Sequence, residues 1–259
     1  MPSTRALLRA CVAAGLMVFA GPSLAHFQEI IPSADVLPEG GEVTVDLIFT
    51  HPVDGGPVMA MQRPVKVGVL AGGERTDLSD RLVEAPVDGK SAWTFRHDLT
   101  EPGAAIFYVE PQPYWEPAEG KYIVHYAKVL VDGYASGEGW DDLVGLPVEI
   151  RPLTRPTGIW TGNVFSGVVL RKGEPVPFAE VEVEFINDGS VKPPNDAFVT
   201  QVIRADANGT FTYAMPRAGW WGFAALLEGD APMASPDGKE VPVEEGALVW
   251  VKATDIGAN

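Results

Sequence analysis

The histidines are the residues of this chain whose type and position could do chemistry. There are four, His26, His51, His97 and His125, and all lie in the first half of the sequence. Imidazole nitrogen is a common protein ligand for nickel, copper and zinc. Because the single cysteine, Cys11, lies near the start of the chain, we expect a metal site built from nitrogen with some oxygen.

A secretion signal is predicted at the start of the chain, and it ends immediately before His26. A positively charged start is followed by an apolar run at residues 10–20 and a small-residue cleavage site at 23–25. The run is shorter than the ~20 residues that span a bilayer. Cleavage after Ala25 would give His26 a free amine beside its imidazole, so one residue could chelate an ion. We therefore expect a periplasmic protein without a transmembrane segment. The alternative for His26 is that it is merely the first residue of a frayed terminus.

The composition is that of an acidic globular protein. The formal net charge is −16, and it becomes −18 when the signal is removed with Arg5 and Arg9. A negative surface repels phosphate backbones, so we expect no nucleic-acid partner. Cys11 lies within the signal, so disulfides, thiolate metal sites and cysteine nucleophiles are excluded for the mature chain.

The pattern predicts an all-β protein made of two β-sandwiches in tandem. Short alternating segments are separated by glycine and proline, and no convincing amphipathic helix interrupts them. Two X-Pro steps keep residues 151–156 extended, which places a domain boundary there. The predicted units are a signal peptide at 1–25, a metal-binding sandwich at 26–152 and a second sandwich at 153–259. Predicted strands cover residues 42–49, 65–70, 93–97, 105–110, 122–131, 163–170, 179–185, 199–204, 211–215, 221–227 and 247–251.

Within the second sandwich, residues 180–185 alternate between glutamate and apolar side chains. A period of two places successive side chains on opposite faces of a strand. We therefore predict that Val181 and Val183 point inward and that Glu180, Glu182 and Glu184 point outward.

The histidines differ in their expected surroundings. His51 follows the predicted strand 42–49 and precedes a glycine-rich turn, where loop residues often bind ligands. It could also be a half-exposed turn residue. His125 lies on the inward face of strand 122–131, so a satisfied core histidine is the alternative there. His97 shares its face with two aromatic residues and is the weakest ligand candidate.

Other side chains extend the possible ligand set. Met59 and Met61 would suit a soft ion such as Cu(I), although methionine more often packs in a core. Glu110 and Glu116 belong to a proline-rich aromatic segment at residues 110–117, which either walls the site or caps the sandwich. Whether His97, a methionine or a carboxylate joins the site stays open from the sequence.

Catalytic motifs are missing from the sequence. It has no Gly-x-Ser-x-Gly elbow, no phosphate-cradling Gly-Lys-Ser/Thr loop and no His-Glu-x-x-His pair. We therefore predict a binding protein and not an enzyme.

Several longer strings resemble the nickel-uptake, NikM-like family of periplasmic proteins, and the similarity covers nearly the whole mature chain. These strings are residues 25–27, 51–56, 113–119, 123–128, 139–141, 152–156, 162–165 and 218–225. The resemblance implies Ni(II) or Co(II) as bound cargo and a membrane importer of the energy-coupling-factor type as partner. It supports His26, His51 and His125 as ligands because they fall within these strings, whereas His97 does not.

The second half has a resemblance of its own. Residues 173–184 and 206–211 are similar to transthyretin-like or carboxypeptidase-regulatory-like sandwiches. That resemblance implies a binding or spacer module, and it completes the expected fold of two immunoglobulin-like or transthyretin-like sandwiches.

The leading hypothesis is a periplasmic protein that captures Ni(II) or Co(II) and delivers it to a membrane importer. The ligands would be the amine and imidazole of His26, His51 and His125, with a carboxylate or water completing the sphere. One alternative is a copper carrier or oxidase with an N-terminal histidine brace, which would use the same histidines. A second is a metal-free adhesion or scaffold module.

Overall fold

The computed structural model of this protein describes residues 26–257, so the predicted signal peptide at 1–25 lies outside the described residues. The described chain contains β-strands and two 3-10 helices, at Ser79–Arg81 and Asp196–Phe198, and no α-helix. No helix in that range is long and apolar enough to cross a membrane. The all-β prediction is confirmed.

All eleven predicted strands are present, and the described residues contain ten further strands that were not predicted. The strands before residue 135 are β1 (Phe27–Pro32), β2 (Val36–Leu37), β3 (Gly41–Thr50), β4 (Lys66–Ala71), β5 (Glu74–Asp77), β6 (Val83–Glu84), β7 (Trp93–Leu99), β8 (Gly103–Glu110), β9 (Tyr114–Glu116) and β10 (Lys121–Gly133). Those after it are β11 (Val148–Pro152), β12 (Ile159–Trp160), β13 (Val164–Arg171), β14 (Glu174–Pro175), β15 (Glu180–Phe185), β16 (Gln201–Arg204), β17 (Thr210–Ala214), β18 (Gly219–Glu228), β19 (Met233–Ala234), β20 (Glu240–Val241) and β21 (Val243–Thr254).

The strands form a central sheet with a smaller sheet packed on each face. The central sheet has the order β16-β15-β18-β21-β10-β8-β4-β5, with β2 and β9 paired to β10 and β12 paired to β21. We call the sheet β1-β3-β7-β6 the upper sheet. The strands β11, β13, β14 and β17 form the lower sheet, and β19 and β20 form a separate hairpin.

Apolar side chains on both faces of the central strands explain this three-layer arrangement. On β8, Phe107 and Val109 join the hydrophobic core beneath the upper sheet, whereas Ile106 and Tyr108 join the core above the lower sheet. Successive side chains of a strand point to opposite faces, so a strand covered on both faces needs apolar residues at nearly every position. We call these two clusters the upper core and the lower core.

Strands from both halves of the sequence share the central sheet. β21 pairs in parallel with β10, from Tyr122↔Val243 to Val129↔Trp250, and antiparallel with β18. The central sheet is therefore continuous across residue 152. Division of the chain at that residue into two independent folding units stays a prediction.

The prediction that all three glutamates of β15 point outward is wrong for two of them. Glu182 is 8% exposed and Glu184 is 1% exposed, whereas Glu180 is exposed. Glu182 lies beside Ala224, which belongs to the upper core, and Glu184 lies beside Gly222 in the same register. The face assigned to solvent is thus covered by the upper layer, because this sheet is buried on both sides.

Candidate metal centre

Strand register brings His26 and His51 together. β1 and β3 pair antiparallel from Phe27↔Thr50 to Pro32↔Val45. Extending that register by one residue places His26 opposite His51. Their ring centroids are 4.5 Å apart with the planes tilted by 54°. His51 is only 4% exposed, so it is not the half-exposed turn residue of the alternative.

The loop that carries His51 is held from both sides. Gly55 donates its N–H to the His51 carbonyl at 3.1 Å, in a turn whose Gly55 has a φ of 72°, the left-handed region that favours glycine. The next contacts come from the second half of the chain. The Val53 N–H donates to Glu184 Oε2 at 3.3 Å, and Asn187 Nδ2 donates to the Val53 carbonyl at 2.9 Å.

Glu116 holds the imidazole of His26. It lies on β9, which forms a hairpin with β10. Glu116 Oε2 is 3.1 Å from His26 Nε2, while Oε1 accepts the N–H of Ala118 at 2.9 Å. The His26 side chain is 9% exposed. Of the two glutamates named from the sequence, Glu116 therefore joins the histidines.

Glu110 does not join them. It lines a separate groove together with Tyr126 and Glu245. Tyr126 packs against the lower core, so this groove belongs to the opposite side of the central sheet.

A carboxylate also holds His125, on the inward face of β10. Its Nε2 lies 3.3 Å from Glu244 Oε1, and Lys121 Nζ bonds to Glu244 Oε2 at 2.6 Å. The ring fits against Gly246 of β21, because a Cβ there would lie 2.9 Å from Cγ and Nε2 of the imidazole. His125 is 2% exposed, and its Nδ1 has no hydrogen-bond partner among the described residues. It is thus buried but not fully satisfied.

The aromatic ring of Phe49 contacts both parts of this cluster. Its centroid lies 5.6 Å from that of His26 and 6.0 Å from that of His125. No three His, Cys, Asp or Glu side chains within residues 26–257 are already arranged to hold a metal ion. An ion bound by all three histidines therefore requires side chains to turn, and the amine of His26 becomes a donor only after cleavage at Ala25.

Burial and neighbouring charges shift the pKa values of His26 and Glu244 downward. Burial and then the His51 ring lower the pKa of His26 below its usual value, and Glu116 opposes them. Burial opposes ionisation of Glu244, but bonds from His125 and Lys121 outweigh it and lower its pKa to about 2. Neutral imidazole is the form that binds metals.

Comparison with known proteins identifies the family. The family described as Domain of unknown function (DUF4198) matches residues 23–229. The chain belongs to the DUF4198 family. That match is silent on nickel and cobalt, and no curated protein gives a significant match.

Solved structures show only weak similarity to this DUF4198 protein. The adhesin InvE of Yersinia pseudotuberculosis is 15% identical, with a TM-score of 0.24, over 85% of this chain and 58% of its own. Dimeric latent PorU of Porphyromonas gingivalis is 11% identical, with a TM-score of 0.22, over 88% of this chain and 20% of its own. A putative carbohydrate-binding protein from Bacteroides uniformis is 13% identical, with a TM-score of 0.21, over 78% and 95%. Similarities this weak do not extend to function.

His97 lies away from the other histidines in the DUF4198 chain. On β7 it pairs with Val43, and its Nδ1 is 3.3 Å from an Arg81 guanidinium nitrogen. Val43 and His51 are eight residues apart along the chain, which is about 26 Å of extended strand. The low rank of His97 as a ligand agrees with this placement.

The sequence analysis did not connect three supporting residues with the candidate site of this DUF4198 protein. Glu184, Glu244 and Gly246 lie far from the histidines in sequence and reach them only through the central sheet. One signal was available for Gly246. A glycine at the start of a predicted apolar strand often marks a close approach by another group.

Proposed function

We propose that this protein captures Ni(II) or Co(II) outside the cytoplasm and delivers it to a membrane importer. The contact between the rings of His26 and His51, 4.5 Å apart and bordered by Glu116, is the observation that supports this most. The resemblance to nickel-uptake proteins supports the choice of metal and of an energy-coupling-factor importer as partner. The proposed role is binding, not catalysis.

Hydrogen bonds indicate which nitrogen each imidazole would offer. Glu116 holds His26 at Nε2, and Glu244 holds His125 at Nε2, so Nδ1 remains for an ion in both rings. Metal-binding histidines commonly donate their other N–H to a carboxylate in this way. For His26, Nδ1 and the α-amine close a six-membered chelate ring on one ion. His51 and His125 would supply the further nitrogens.

A partly open site suits a carrier, because a carrier must release its ion. His26 keeps a small exposed area at the edge of the upper sheet, whereas His51 and His125 are buried behind it. Protonation of the imidazoles competes with metal, so occupancy should fall below about pH 6.

The test is metal titration of residues 26–259 with a free amino terminus, at neutral pH and with buffered free Ni(II) and Co(II). His26→Ala should weaken Ni(II) binding by about 100-fold or more. One extra residue ahead of His26 should do the same, because it removes the chelating amine. His51→Ala and His125→Ala should each weaken binding, and His97→Ala is the matched control with no effect. Unchanged affinity after His26→Ala would disprove the proposal.

Copper is the second candidate, because an amine-imidazole chelate beside a second imidazole also suits Cu(II). Nitrogen sites bind copper more tightly than nickel. Competition at buffered free-metal concentrations separates a copper carrier from a nickel carrier, and a Cu(II) redox assay detects an oxidase. A metal-free adhesion or scaffold module would be insensitive to the extra residue.

A further inference from the structure

A narrow cleft opens beside His125, between the segments around residues 61 and 112. Its volume is about 30 Å³, which is enough for a single ion, since one water molecule needs ~10–15 Å³. Gln28, Phe49, Met61, Gln112, Ile123 and His125 are among the residues that line it. The cleft is mostly apolar, with a few polar groups at its wall.

His125, whose Nδ1 has no hydrogen-bond partner among the described residues, lines this cleft. The Cδ2–Nε2 edge of the ring lies against Gly246 and Glu244 of β21. Nδ1 is on the opposite edge of an imidazole, toward β9, which pairs with the other side of β10. The lining residue Gln112 lies on that side. In the neutral tautomer whose Nε2–H donates to Glu244, Nδ1 carries a lone pair.

The thioether of Met61 is fixed at the same cleft. The Met61 N–H donates to the Ser91 carbonyl at 2.9 Å, and the Met61 carbonyl accepts the indole N–H of Trp93 at 3.0 Å. Gln28 Nε2 donates to Met61 Sδ at 3.6 Å. A thioether sulfur has two lone pairs, so one remains after this weak hydrogen bond.

We propose that Nδ1 of His125 and Sδ of Met61 bind a soft monovalent metal ion, Cu(I), in this cleft. Thioether and imidazole donors suit Cu(I), whereas a hydrated divalent ion prefers harder ligands. The apolar walls exclude water and favour an ion of low charge. This site shares His125 with the proposed nickel site but needs neither His51 nor the cleaved amine, so it goes beyond the proposed function.

The probe is Ag(I), which has the ligand preference of Cu(I) without its redox chemistry. The mature chain contains no cysteine, so no thiolate competes for the probe. Met61→Leu should weaken Ag(I) binding by about tenfold or more. Met59→Leu is the matched control, because Met59 is also buried in the upper core but is not among the cleft residues. Leucine for methionine nearly conserves volume, so both variants should fold.

A second measurement does not depend on any variant. In protein labelled with ¹³C at the methionine methyl groups, Ag(I) should shift the resonance of Met61 and leave that of Met59 in place. Equal Ag(I) affinity of Met61→Leu and the unmodified chain, or a shift confined to other methionines, would overturn the proposal.

The same samples separate this proposal from the nickel carrier. Adding one residue ahead of His26 should abolish Ni(II) binding while Ag(I) binding persists. If Ni(II) does not bind to any form but Ag(I) shifts Met61, the proposed function fails and the soft-metal site stands. If Ni(II) binds and Met61→Leu leaves Ag(I) affinity unchanged, the soft-metal site fails and the proposed function stands.

Discussion

The two faces of the central sheet both bury charged groups, but they satisfy them differently. On the lower face, the fully buried Lys128 bonds through Nζ to Glu149 Oε1 at 2.6 Å. Glu149 also accepts the N–H groups of Val144, Gly145 and Leu146 at 2.8–3.2 Å. The charges of Lys128 and Glu149 are thus paired, and we call these two residues the lower pair.

On the upper face, Glu116 and Glu244 have cationic or imidazole partners, but the buried carboxyl groups of Glu29 and Glu184 have no opposite charge beside them. Burial and then repulsion from Glu184 raise the pKa of Glu29 to about 8. Burial likewise raises the pKa of Glu184 to about 7, although Thr200 and Val53 donate hydrogen bonds to it. His125 adds an unpartnered ring nitrogen on the same face.

This difference distinguishes buried polar groups that stabilise the fold from those that belong to a candidate functional site. A fully satisfied buried network rigidifies a core, whereas groups held near their protonation or ligand-binding threshold cluster at functional sites. The proposed metal site and the proposed soft-ion cleft both lie on the upper face, which also buries Glu29 and Glu184.

Removing the carboxylate of the lower pair should have the largest effect. Glu149→Leu leaves a buried lysine without its counter-charge and three N–H groups without an acceptor, so the free energy of unfolding should fall by about 3–5 kcal/mol. Urea denaturation measures it. The double variant Lys128→Met with Glu149→Leu should recover much of the loss. A loss below about 1 kcal/mol, as for an exposed pair, would show that the lower pair contributes little to the free energy of unfolding.

Glu29→Gln should stabilise the protein only at high pH. The folded state binds the Glu29 proton up to about pH 8, whereas an ordinary glutamate releases it near 4.5. Stability from this group is therefore complete below pH 4.5 and is lost as the pH rises to about 8. At pH 9 the variant should exceed the unmodified chain by on the order of 5 kcal/mol, and at pH 4.5 the two should agree.

Thermal or urea unfolding at both pH values gives that comparison. Glu39→Gln, at an exposed glutamate, is the control and should show no such pH dependence. If the stability difference between Glu29→Gln and the unmodified chain were the same at pH 4.5 and pH 9, the raised pKa of Glu29 would be contradicted.

Gly246→Ala should disturb the upper face at His125. The added methyl group collides with the imidazole, so the variant should lose about 2 kcal/mol of stability and bind both Ni(II) and Ag(I) more weakly. Gly257→Ala is the control, because a Cβ there meets nothing within 4 Å. Full metal affinity in Gly246→Ala would show that the position of His125 is unimportant for binding.

Glu116→Gln should have the smallest effect. The amide can still accept a hydrogen bond from His26 Nε2 but carries no charge to polarise the ring. Ni(II) affinity should fall by about tenfold, while the unfolding curve changes little. An unchanged affinity would place Glu116 outside the metal centre, and Glu119→Gln tests whether any nearby carboxylate has the same influence.

The sequence was sufficient for features that depend on local pattern. Alternation predicted eleven strands and the inward direction of His125 but missed β1 and β11, and the proline-rich segment led to Glu116. The same alternation failed at Glu182 and Glu184, because a period of two shows which residues share a face but not whether a third layer covers it.

Long-range register could not be obtained from the sequence. The pairing of His26 with His51 depends on how β1 aligns with β3, and a shift of one residue would send the rings to opposite faces. Glu244 and Gly246 reach His125 through a parallel pairing across 119 and 121 residues, and the local pattern does not show which strand β21 pairs with. The approach of Met61 to His125 has the same origin.

Because β21 lies between β10 and β18, the central sheet depends on the last strand of residues 26–257. Glu244 follows His125 by 119 residues, so a chain in which β21 has not yet paired with β10 lacks the carboxylate beside this imidazole. Non-local pairings of this kind form late in folding. The pocket around His125 is therefore incomplete until β21 has paired with β10.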